Sequence, residues 1–110
     1  MIFDKNGNTS IITQEKESII EFVKKLEVLY ERFRHNNVIV NLTTINKVTL
    51  QDIVEFLQIS NTHRKAKHSF VIVTNKINVD QTPDEIVVVP TMQEAYDVIE
   101  MEDIERDLGF

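Results

Sequence analysis

A chain of 110 residues is long enough for one hydrophobic core and one domain. It carries 18 acids against 12 lysines and arginines, a formal charge of −6, so it repels phosphate backbones and nucleic acid is a poor candidate partner. With no cysteine and only Gly7 and Gly109 as glycines, it excludes disulfides, thiolate chemistry, cysteine-ligated zinc and the glycine-rich loops that cradle nucleotide phosphates.

Asn6-Gly7-Asn8 stands between two strand-like runs, Met1 to Lys5 and Thr9 to Ile12. It predicts a hairpin with strands at about 1–5 and 8–13 and a type I′ turn, which needs positive φ at both central positions. Thr13 is the expected cap of a helix reaching about Arg34. Ile19, Phe22, Val23, Leu26, Leu29, Tyr30 and Phe33 recur at three and four along it, and Glu21, Lys24, Lys25, Glu27, Glu31 and Arg32 form its solvated face. His35-Asn36-Asn37 ends it, with asparagine in the left-handed cap.

Val38-Ile39-Val40-Asn41-Leu42 has no polar face, as expected of a central strand covered on both sides. The polar loop Thr43 to Val48 follows, then a helix over about 50–63 that turns Ile53, Phe56, Leu57 and Ser60 inward. Thr49 with Asp52 has the spacing of a capping box. Ser69 to Val73 is a second apolar strand. The polar stretch 75–85 holds one helical turn at Thr82-Pro83-Asp84-Glu85. Ile86 to Val89 is a third apolar strand, stopped by Pro90. Thr91, with Glu94 as partner, caps a last helix carrying Ala95, Val98, Ile99, Met101, Ile104 and Leu108, closed by Gly109.

The expected order is β-β-α-β-α-β-(turn)-β-α, with no repeat, linker or low-complexity tract. That is an α/β chain whose mixed sheet has about five strands, an N-terminal hairpin plus three parallel-type strands, with three main helices and one sheet face less protected. No apolar run approaches the roughly 20 residues of a membrane helix. Met1 opens a strand-like run instead of a cationic leader, so a cytoplasmic location without a membrane partner is expected.

Little reactive chemistry is written here. His35, His63 and His68 have no metal-ligand spacing, no Gly-x-Ser-x-Gly elbow occurs, and no catalytic residue, metal or cofactor is expected. His63-Arg64-Lys65-Ala66-Lys67-His68 is a basic cluster explained by a helix C-terminus. The acids Glu94, Asp97, Glu100, Glu102, Asp103, Glu105 and Asp107 fit a solvated face of the last helix. Met101, Ile104, Leu108 and Phe110 lie among them, an apolar edge suited to a protein partner or a homodimer. A central strand ending in a loop and a helix start is where α/β proteins place sites. Thr44, Asn46, Lys47, Thr49, Gln51 and Asp52 are therefore the expected partner-binding residues, in a non-catalytic binding module with an unidentified protein partner. A small anion or nucleotide at the same helix start is the rival ligand.

The order of elements, the run Val38 to Ile45, the helix opened at 49–52 and the ending Val88-Val89-Pro90-Thr91-Met92-Gln93-Glu94-Ala95 resemble STAS domains of the anti-sigma-factor-antagonist type. The resemblance implies a regulatory protein-interaction module of residues 1–110. That class carries Asp-Ser-Ser-Gly at the loop-to-helix junction, with a serine phosphorylated by a partner kinase. Here the stretch is Thr49-Leu50-Gln51-Asp52, so Gln51 falls at the serine and cannot accept phosphate. The helix between strands 69–73 and 86–89 is absent too. The ending Glu102 to Phe110 also resembles small stand-alone Bacteroidetes proteins labelled ribonuclease Z, which implies an accessory role beside a tRNA-processing nuclease.

Overall fold

A computed structural model describes residues 1–15 and 18–109. Ile2–Asn6 (β1) and Thr9–Thr13 (β2) form the expected hairpin, with Asn6 opposite Thr9. Its loop is Gly7-Asn8, and only Gly7 has positive φ, 61°. One left-handed residue at the first central position is what a type II′ turn needs, so glycine takes the strained place and the type I′ expectation fails.

The strands lie in the spatial order 1-2-3-4-5. β3 (Asn37–Asn41) sits between β2 and β4 (Phe70–Val73), parallel to both, and β5 (Val87–Val89) adds a parallel edge. The run without a polar face is thus an interior strand. Alternation sends Val38, Val40, Phe70, Ile72 and Val88 to one face and Ile39, Val71 and Val73 to the other.

The first face is packed by α1 (Ile19–Val28), α2 (Leu50–Val54) and α3 (Leu57–Lys65), through Phe22, Leu26, Ile53, Phe56 and Ile59. Phe22 and Phe56 meet edge to face at 6.0 Å. The second face is covered by α4 (Met92–Asp107), which lies over β3, β4 and β5 and buries Ala95 and Ile99. β1, at the edge of the sheet, stays largely exposed.

Four boundaries differ from expectation. Thr13 remains in β2 because it is paired on both sides, with Ile2 and with Asn41, and that ladder outweighs a cap. Ser18 caps α1 instead, its Oγ accepting from the Glu21 N–H at 3.2 Å; Lys16 and Glu17, inside the expected helix, lie outside the described residues. α1 stops at Val28 and a 3-10 turn at Tyr30–Arg32 follows; its tighter winding turns Phe33 inward. Neither Asn36 nor Asn37 is left-handed, and Asn37 is the buried first residue of β3.

The helix expected over 50–63 is two helices, separated where the Phe56 N–H bonds the Ile53 carbonyl at 3.0 Å. That tightened turn drops Phe56 into the core against Phe22 and Phe70. In the polar stretch the helical turn is Val79–Gln81, capped by Asn78, and Thr82 ends it. The asparagine side chain captures the Asp80 N–H at 3.0 Å, which fixes the turn three residues earlier than proline suggested.

Candidate functional site

The expected site residues share the loop and helix start at the C-terminal end of β3. Asn41 Oδ1 accepts from the Thr43 N–H at 3.1 Å, a local turn that opens the loop. Thr44 donates its hydroxyl to the Gln14 carbonyl at 2.9 Å, which ties the loop to the end of β2. Ile45 leans on the core and Val48 is buried, so Asn46 and Lys47 are held outward between two apolar anchors.

Thr49 and Asp52 then close a full capping box. The Asp52 N–H donates to Thr49 Oγ1 at 3.1 Å and the Thr49 N–H donates to Asp52 Oδ2 at 3.0 Å. Both side chains therefore serve the helix. Gln51 is exposed and donates to Glu55 one turn on, at 3.2 Å. The outward set is Thr44, Asn46, Lys47 and Gln51. The Asp52 carboxylate occupies the place an anion would take at this helix start, and α2 has only five residues, which argues against the rival anion site.

The stretch 75–86 leaves the same end of the sheet, after β4. The Leu42 N–H donates to the Val73 carbonyl and the Thr74 N–H to the Val89 carbonyl, so the ladder extends one residue past the ends of β3 and β4. Beneath the loop, Gln14 is fully buried and neither polar atom of its carboxamide has a hydrogen-bond partner. Among the described residues, no group of three histidine or acid side chains is placed to hold a metal ion.

The opposite end of the sheet carries a second polar assembly, which the sequence reading missed. Asn37 and Ser69, at the entrances of β3 and β4, are both buried. Asn37 Oδ1 accepts from the Ser69 N–H at 2.9 Å, and Asn37 Nδ2 donates to the Asp103 carboxylate at 3.2 Å. Ser69 donates its hydroxyl to Glu102 at 2.6 Å, and Glu102 pairs with Arg64 at 3.1 Å. Arg106 donates to Ser69 Oγ at 3.0 Å and pairs with Asp103.

So Arg64, taken for a helix-end cation, and Glu102 and Asp103, taken for solvated acids, fasten α4 to the sheet. One signal was available: Ala95, Ile99, Glu102 and Arg106 keep one helical stripe, which changes from apolar to charged partway along.

His63 is buried beside this assembly. Its Nε2–H donates to the Asn36 carbonyl at 2.7 Å, and its Nδ1 accepts the Tyr30 hydroxyl at 2.9 Å. Both bonds suit the neutral ring. Burial lowers its pKa to about 4, with the positive charges of Arg64 and Arg106 acting the same way. Burial also lowers the pKa of His68, whose ring lies 5.4 Å from that of His63.

The parallel β2–β5 order, the antiparallel N-terminal strand and the helices on both faces define a STAS-like α/β fold. No family model and no characterised protein matches the chain in sequence. Solved structures do match. A serine-to-glutamate variant of Moorella thermoacetica RsbS superposes with TM-score 0.64 at 12% identity, covering 96% of this chain and 97% of that one. The NMR structure of the protein TM1081 gives 0.66 at 15% identity, over 89% and 86%. A chain from the stressosome, described as a signal integration and transduction hub, gives 0.59 at 11% identity, over 90% and 96%. At these identities the likeness shows the fold alone, and a resemblance to ribonuclease Z is not shown by any of the three.

Proposed function

We propose that residues 1–110 act as one STAS-like domain whose work is protein recognition. It is of the anti-sigma-factor-antagonist type but lacks that class's phosphoryl acceptor at the usual place. The junction at 49–52 carries this reading. Gln51 stands where the resemblance puts the serine, and the nearest hydroxyl, Thr49, is already engaged as the cap of α2. A phosphoryl group on Thr49 would lose that cap and face the Asp52 carboxylate.

The surface offered to a partner is the loop 43–48 with the start of α2. Thr44, Asn46, Lys47 and Gln51 set register, and the half-buried Ile45 gives the loop a fixed shape. Two of the solved structures that share the fold are RsbS and a component of the stressosome, a signalling assembly by its own description, and this supports a regulatory docking role. Affinity capture from the native cell extract should recover a specific protein. Gln51→Arg and Lys47→Glu should each lose it with the melting temperature unchanged. Undiminished capture by both variants would put the docking surface elsewhere.

A further inference from the structure

Two helices present apolar stripes outward. On α4, Met101, Ile104 and Leu108 are exposed at three- and four-residue spacing, diametrically opposite the docked Ala95 and Ile99. They edge a shallow groove of about 290 Å³ lined by Asp97, Glu100, Met101, Ile104 and Glu105. On α1, Ile20 and Val28 are exposed on the side away from Phe22 and Leu26, with Lys24 between them at four-residue spacing. A second groove of about 290 Å³ there is lined by Lys24, Lys25, Val28 and Leu29. Val28, at 82% exposed, is the most exposed large apolar side chain among the described residues.

The two stripes differ in sign. The α4 groove carries three acids and the α1 groove two lysines, with Glu21 and Glu27 to either side on the helix. Pairing α4 with α4 of a second copy sets Asp97, Glu100 and Glu105 against their own kind, and pairing α1 with α1 does the same to the lysines. Setting α4 on α1 joins apolar surface to apolar surface and faces the three acids of one groove with the two lysines of the other. The helices lie on opposite faces of the sheet, so one molecule can use both at once.

We propose that the chain associates with further copies of itself head to tail, the outer stripe of α4 seating on the outer stripe of α1 of the next copy. The contact is heterologous, so it propagates beyond two chains unless a ring closes. It leaves the loop 43–48 uncovered, and the proposal stands independently of the docking surface assigned there. A single helix-on-helix contact is small, so association belongs to the weak range and needs high concentration.

Sedimentation velocity on the whole chain, from about 10 μM to about 1 mM at low salt, reads this directly. The average mass should rise past twice 12.8 kDa and fall back in high salt. Lys24→Glu with Val28→Glu spoils only the α1 face, and Met101→Ser with Ile104→Ser only the α4 face, so the two spoilt faces gain no opposite charges that could pair with each other. Each double variant should stay monomeric, while their equimolar mixture should form a species capped at two chains, because one good face remains on each. A wild-type chain monomeric throughout, or an α1 variant that still dimerises by itself, overturns the proposal. All four positions are exposed, and circular dichroism checks folding. If a double variant unfolds, Val28→Ser and Ile104→Ser read the same two faces.

Discussion

The two ends of the sheet use the same residue types in opposite ways. At the C-terminal end, Asn41, Thr49, Asp52 and Asn78 bond to backbone two or three residues away, so most of each loop is settled by its own sequence. The bonds from Thr44 to Gln14 and from Asn41 to Thr13 reach farther. At the N-terminal end, Asn37, Ser69, Glu102, Asp103 and Arg106 bond across 32 to 69 residues of chain. Local satisfaction leaves a loop whose outward side chains can be exchanged without disturbing the fold. Long-range satisfaction makes each side chain a condition of the others, because a buried polar group deprived of its partner retains the full penalty of its desolvation.

That contrast is testable in order of size. Asn37→Ala strips partners from Ser69, Asp103 and Arg106 together, and should lower stability by about 2–3 kcal/mol, some 10 °C or more in melting temperature. If it behaves like a surface substitution, the network is not a fastening. His63 adds a pH dependence at the same end. Its folded pKa of about 4 lies below the ordinary 6.5, so the unfolded chain takes up its proton first as pH falls. The stability present above about pH 6.5 should decline toward pH 4, by about 3 kcal/mol in all. Denaturant midpoints between pH 7 and pH 5 should show the slope, and His63→Gln should make it shallower, leaving the share of His68, whose pKa is lowered too.

At the loop end, Thr49→Ala removes one cap and should cost about 1 kcal/mol in chemical denaturation, with no loss elsewhere in the core. The smallest effect is a gain. Lys67 ends α3 at φ 71° in a Schellman arrangement, the His68 N–H reaching the His63 carbonyl and the Lys67 N–H the Arg64 carbonyl. A β-carbon is disfavoured there, so Lys67→Gly should raise stability by about 0.5–1 kcal/mol.

What could be read beforehand follows the same division. The interior strand 38–42, the capping box at 49–52, the Thr91 cap and the order of elements all depend on neighbours in sequence or on periodicity, and the structure contains them. Turn type, the Ser18 start and the break at Phe56 depended on competition between a local bond and a tertiary one. At Thr13 the ladder won, and at Phe56 the core did. The polar assembly under α4 was hidden because its members lie in four separate segments, each with an ordinary local explanation. Of the expected site residues, Thr49 and Asp52 spend their side chains on the cap of α2, while Asn46, Lys47 and Gln51 remain exposed at the surface.

The fastening of α4 also has a consequence in time. Asn37 is made well before Arg106, so the amides and hydroxyls at the entrances of β3 and β4 wait for the last turns of α4 before they are satisfied. A nascent chain interrupted before Glu102 holds its hairpin and most of its apolar residues but keeps a wet, unsealed seam. Such fragments should be prompt substrates for proteolysis, and synthesis of α4 through Arg106 is the step that closes the molecule.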